Sequence, residues 1–260
     1  MMLKTILSGI VLATILFLGI CFPNSSVNAQ NNSELFKKGA EAIKNGKTKA
    51  GLNMIRQAAL NNDNEASAAL GGLFYVGQFF NKNIDSAIFW LEKSASLNHV
   101  GAFGLLGDIY LKDSSHKNIR KSIEWLEKAG KHNNVDALFN LGIIYSNEKV
   151  GGAVVDFVKA IEYFTKANTL GDVESFNAIG GLYATGGKNL KQDYQKAFSW
   201  YLKGAEKGNE SCMYCVGVMY HKGEGAKADD EKALEWLQKA SDAGIEEADS
   251  YLEEEFPGEY

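Results

Sequence analysis

Ser114 stands three residues before Lys117 in Ser114-Ser-His-Lys117, the spacing at which a lysine amine can take the proton from a serine hydroxyl and leave an acylatable oxygen. That chemistry also needs companion Ser-Asp-Asn and Lys-Thr-Gly elements, and the chain contains neither. The match reads as coincidence. A second pair, Cys212 and Cys215 in Cys-Met-Tyr-Cys, has the spacing of a dithiol that closes into a disulfide or, near a helix N-terminus, favours a thiolate. The βαβ setting of a thioredoxin-like site is missing, so the pair reads either as a local disulfide or as two core thiols. The four histidines, His99, His116, His132 and His221, fall in turns or at helix ends, none at i, i+4 from another ligand type. No metal and no cofactor is expected. No nucleophile, base and orienting acid can be assembled from these residues.

What must position them is a repeat. A Leu-Gly-x-x-Tyr phrase, with its Leu site on Leu70, Leu106, Leu141, Ile179, Val216 and Leu252, returns at intervals of 36, 35, 38, 37 and 36 residues. A large residue, on Met54, Trp90, Trp125, Tyr163, Trp200 and Trp236, drifts with the same spacings. A period of this length is the signature of stacked helical hairpins.

Each unit reads as helix, loop, helix. Ala102, Leu106, Gly107 and Tyr110 lie on one stripe of a 3.6-residue period. Gly there thins the seam where two helices cross. Asp193 and Asp229, with Asn83 and Asn118 in other copies, suit the N-cap of the second helix. Gly171, Gly208 and Gly244, with Asn98 and Asn133, fall where a left-handed C′ residue is needed. The Trp residues and the Tyr ladder read as core. No strand precedes the glycine-rich loops such as Gly223-Glu-Gly225, which excludes a phosphate cradle.

These residues resemble the Sel-1-like repeat family, relatives of tetratricopeptide arrays, over roughly Ala66 to Tyr251. The resemblance implies an all-α, right-handed superhelical solenoid of antiparallel helix pairs. Five repeats are expected, at about 63–98, 99–133, 134–171, 172–208 and 209–244. Ahead of them, 30–62 reads as a degenerate hairpin with Gly39, Gly46 and Met54. After them, 246–260 reads as an acidic capping helix and tail, a solvated end or a docking tail. Two loops depart from the pattern, Leu111–Lys117 without glycine and the apolar Val150–Val155, and each is either shaped for a task or decayed. Some members bridge the two helices of each repeat with cysteines, and this chain lacks that repeated pairing.

Residues 1–29 read as a signal peptide: Lys4, an uncharged run from Thr5 to Phe22, then Val27-Asn28-Ala29 as the cleavage site. The alternative is an uncleaved anchor. A periplasmic or secreted location follows. Losing Lys4 takes the net charge from −5 to −6, and no basic stripe appears, which counts against nucleic acid and anionic membranes.

Function then falls to the inner surface. With the first helices lining a concave side, as in related arrays, Tyr75, Asp108, Leu111, Phe139, Ile143, Tyr214, Val218 and His221 point into the groove or pack on adjacent loops. The resemblance implies a non-enzymatic scaffold or adaptor that binds a protein or peptide there, such as a regulator, an immunity protein or a host-interaction factor. The alternative is a cell-wall or β-lactam-binding hydrolase, since some members have been linked with β-lactam binding.

Overall fold

The computed structural model describes residues 27–258. The predicted leader therefore lies outside the described residues except for its last three, which open the first helix. The chain divides into two compact units, one through His132 and one from Asn133.

In the first unit six helices follow one another: α1 (Val27–Lys44), α2 (Thr48–Leu60), α3 (Asn64–Val76), α4 (Ile84–Ser96), α5 (Val100–Lys112) and α6 (Ile119–Gly130). They pack as consecutive pairs, α1 on α2, α3 on α4 and α5 on α6. The second unit runs α7 (Val135–Ser146), α8 (Glu148–Gly151), a 3₁₀ turn (Gly152–Val154), α9 (Phe157–Thr169), α10 (Glu174–Thr185), α11 (Tyr194–Glu206), α12 (Glu210–Lys222), α13 (Asp230–Asp242) and α14 (Glu246–Glu255). Its hairpins are α7 with α9, α10 with α11 and α12 with α13, and α14 packs on α13. Among the described residues there is no strand, only an isolated bridge between Gly187 and Leu190. The all-α array of helix pairs expected from the period is what the chain forms.

The helices start and stop where local chemistry dictates. Asn83, Asn118, Asp193 and Asp229 each accept a backbone N–H from the third residue onward, filling an orphan donor of the second helix. The first helices are capped as well, by Asp63, Asn134 and Asn209 and, in one copy, by the His99 ring. At the other end Asn98 and Asn133 (both φ 60°), with Gly171, Gly208 and Gly244, take the left-handed conformation.

Each hairpin closes at one crossing. A Cβ placed on Gly71, Gly107, Gly142, Gly180 or Gly217 would meet Leu91, Leu126, Phe164, Tyr201 or Leu237 at 2.5–2.7 Å. These partners follow the large marker by one position, and all are buried. The hairpin core is therefore the residue after the Trp more than the Trp itself. Trp90 is buried, whereas Trp125, Trp200 and Trp236 are half-buried. At all four the lysine three residues on, Lys93, Lys128, Lys203 and Lys239, lies over the indole at 4.0–5.4 Å, so one face meets the core and the other a cation. The leading hairpin follows the same plan, with Gly39 against Ile55.

Candidate partner-binding surface

The lysine that opens each second helix reaches back to the first. Lys121, Lys159, Lys196 and Lys232 lie 4.1–5.4 Å from the ring centres of Tyr110, Tyr145, Tyr183 and Tyr220. Lys159 also donates to the Tyr145 hydroxyl at 2.7 Å. In the Leu70 copy the aromatic is Phe74 and the lysine is Ser86; having no hydroxyl to offer, Phe74 stacks on Phe80 at 4.7 Å instead. The repeat thus consumes its own Tyr and Lys ranks, and surface for a partner comes from positions outside them.

Those positions differ between the units. In the first, Tyr75 is half-buried with Lys82 above its ring at 5.5 Å. Its hydroxyl pKa is pushed up by burial and by the carboxylates of Asp108 and Asp113, against the pull of Lys112. Asp108 pairs with Lys112 at 2.9 Å. Tyr75 and Asp108 are thus brought together on neighbouring first helices. Leu111 is 8 % exposed and so belongs to the core of its hairpin more than to a surface.

In the second unit Phe139 is half-buried, its ring edge-on to Phe164 at 5.2 Å, and Ile143 is half-buried one turn on. Tyr214, Val218 and His221 pack against the helix that follows their hairpin. The Tyr214 and His221 rings meet Tyr251 at 6.1 and 6.0 Å, His221 also meets Phe256 at 4.9 Å, and Val218 packs on the cluster of Leu237, Leu252 and Phe256. His221 is further held by Asp230 at 2.9 Å. The chain's own α14 occupies this face, because its apolar stripe must be covered by something and the next element in sequence is the nearest cover.

The sequence reading did not find the cleft of ≈ 400 Å³ between the second helices of the first unit, where Phe103, Trp125 and His132 form stacked walls and Lys128, Lys131 and Glu92 the rim. Phe103, three residues before its Leu marker, was the signal available for it.

The chemistry-bearing groups behave as structure. Cys212 and Cys215 are free thiols, Cys212 wholly buried. Burial pushes Cys212 up to about 12, with Cys215 and Glu174 adding to it, and pushes Cys215 up to about 11 against a hydrogen bond from Tyr201. The thiolate that a helix N-terminus would favour is not favoured here, since Asn209 already accepts the Cys212 N–H at 2.8 Å and desolvation dominates. In the Leu111–Lys117 loop it is Ser115, next to Ser114, that bonds to Asp113 (2.7 Å) and to His116 Nδ1 (2.9 Å). Asp113 contacts that same nitrogen. Asp85 lies 3.0 Å from the opposite nitrogen, Nε2, so the ring is held between two carboxylates while the Ser115 hydroxyl donates to Asp113. Among the described residues no three metal-ligand side chains gather, and no helix is long and apolar enough to cross a membrane.

No curated protein matches the chain. The chain is similar to the crystal structure of a Sel1 repeat protein from Oxalobacter formigenes, with 29% identity, a TM-score of 0.65, and 84% of this chain and 88% of that one covered. It is also similar to c5321, a protective antigen of uropathogenic Escherichia coli strains displaying an SLR fold, at 22% identity and a TM-score of 0.73. That match covers 88% of this chain and 52% of the other, and it speaks to the fold alone. The Sel1 repeat model itself matches residues 64–99, 105–134, 135–172, 177–209 and 211–245. Proteins built of this repeat are generally non-enzymatic scaffolds for protein–protein contact. With its hairpin crossings, caps and matched repeats spanning most of its length, the chain belongs to the Sel1 repeat family.

Proposed function

We propose that this protein is an exported, non-enzymatic scaffold that holds a partner polypeptide against the faces of its first helices. The observation that carries the reading is the contrast within those helices. The Leu and Gly markers are buried, while Tyr75, Asp108, Phe139 and Ile143, which the hairpin crossing does not require, stay half-buried. Aromatic and aliphatic side chains left partly open in this way are the usual anchors of a contact surface. Tyr214, Val218 and His221 are half-buried as well, but the chain's own α14 already packs on that face.

The test uses the full chain as bait in an envelope extract, wild type beside a Tyr75→Ala/Phe139→Ala variant that retains its helical circular dichroism. The expected result is a polypeptide captured by the wild type and lost by the variant; identical capture by both overturns the assignment. Export is tested separately by the mass of the recovered protein. A mature chain starting at Gln30 is expected, and an intact Met1 in the envelope fraction would count against cleavage.

A further inference from the structure

His116 is ten residues past its Leu marker, at the tip of the glycine-free loop between α5 and α6. Its ring reaches back to the preceding repeat, where Nε2 lies 3.0 Å from Asp85 Oδ1 in the first turn of α4. On the other side Nδ1 lies 2.9 Å from Asp113 Oδ1 of its own loop. Ionised carboxylates only accept. Both contacts are satisfied together only when both ring nitrogens carry hydrogen, that is, when His116 is an imidazolium.

A neutral ring can donate from one nitrogen only: keeping Nε2–H on Asp85 leaves the Nδ1 lone pair to be met by turning the Ser115 hydroxyl, 2.9 Å away, off Asp113, so that Asp113 loses two bonds, whereas keeping Nδ1–H on Asp113 gives up only the Asp85 contact. The two partners differ in what they lose. Asp113 is 17% exposed and tied to the loop by Ser115 and the His116 N–H, whereas Asp85 is 90% exposed. Water replaces the lost bond at Asp85 with little penalty, so the contact between repeats is the one that opens.

A counterpart exists in the same chain. Asn189, also ten residues past its marker, donates to Asp156 Oδ1 at 2.7 Å and accepts from the Phe157 N–H at 3.0 Å. It too ties a hairpin loop to the start of the preceding second helix, with an amide that does not titrate. We infer that His116 is a proton-operated latch, which fastens the loop of the Leu106 repeat to α4 while charged and releases it when neutral.

The charged groups facing the ring are Asp85 from α4 and Asp113 from its own loop; behind them stand Tyr75 on α3 and Asp108 and Lys112 on α5. The imidazole is held above its ordinary value by hydrogen bonds to Asp113 and Asp85. Asp113 is held down at about 2, chiefly by the Ser115 hydroxyl and then by His116. A raised histidine pKa gives stability present below the unfolded value near 6.5 and lost as pH climbs through the folded value. A lowered aspartate pKa gives stability present above 3.8 and lost as pH falls toward 2. The latch is therefore closed in mildly acidic solution and opens on the alkaline side.

The experiment follows the His116 ring by NMR titration in the full chain, together with amide hydrogen exchange of residues 113–118. Wild type is set beside Asp85→Asn and beside His116→Gln, whose amide offers a fixed donor at similar reach. Two results are expected: a lower imidazole pKa in Asp85→Asn, and a ratio of wild-type to His116→Gln exchange rates that climbs as pH passes the wild-type imidazole pKa. An imidazole titration unmoved by Asp85→Asn, or an exchange ratio flat across that range, overturns the latch.

Discussion

Gly71 and Gly72 are adjacent in one helix and do opposite things. A Cβ at Gly71 would meet Leu91 Cγ at 2.5 Å and the Ala87 carbonyl at 3.2 Å, while one at Gly72 would meet nothing within 4 Å. Gly71→Ala therefore forces a buried leucine off its rotamer, at a cost of about 1–3 kcal/mol that outweighs the helix propensity gained. Gly72→Ala gains that propensity without the clash and is expected to stabilise by roughly 0.5–1 kcal/mol. Chemical denaturation of the two variants reads the difference directly; equal midpoints would show that the helix crossing is looser than the packing implies. The same close approach recurs at Gly107, Gly142, Gly180 and Gly217, so the repeat's most informative letter is a missing side chain.

At the scale of the element, the loop between the two helices of a hairpin varies most, and Phe79 shows why that matters. It sits nine residues past its marker with φ 65°, the conformation that Gly225 adopts (φ 75°) at the corresponding place in the Val216 repeat. A left-handed phenylalanine costs about 1–2 kcal/mol, and with 47% of it exposed there is little packing to offset that. Phe79→Gly is expected to raise the thermal midpoint, less the added entropy of glycine in the unfolded chain; a lower midpoint would mean that the ring holds the loop in place. Caps and turn residues of this kind were legible in the sequence, because Asn, Asp and Gly are chosen by backbone demands that recur in phase. The residue after each Trp was harder to see, since Leu, Phe and Tyr all fill that site and only the facing glycine reveals what they touch. The reach from His116 to Asp85 spans 31 residues and has no trace in any local pattern.

For the chain as a whole, the period foretold how many hairpins there are but not what happens at the last one. Position by position, Tyr214, Val218 and His221 look like groove residues, and the repeat rule says nothing of the element that follows them. In α14 the phrase continues through Ala248, Leu252 and Phe256, all buried, while position 253, glycine in the complete hairpins, is an exposed Glu253. The helix thus has the apolar stripe of a first helix and an acidic outer face, which also carries Glu246, Glu247, Glu254 and Glu255, the pattern a capping element would need. Its removal would uncover Tyr214, Val218 and Leu237 together, and a repeat array without a polar end piece tends to associate through the bare one. A chain ending at Gly244 is expected to unfold at lower temperature and to sediment as concentration-dependent oligomers. Leu252→Ala, which leaves the acidic face intact, should lose about 2–5 kcal/mol yet remain monomeric. If the shortened chain is instead monomeric and as stable as the full one, α14 is no cap, and the faces of Tyr214, Val218 and His221 return to the surface available for a partner.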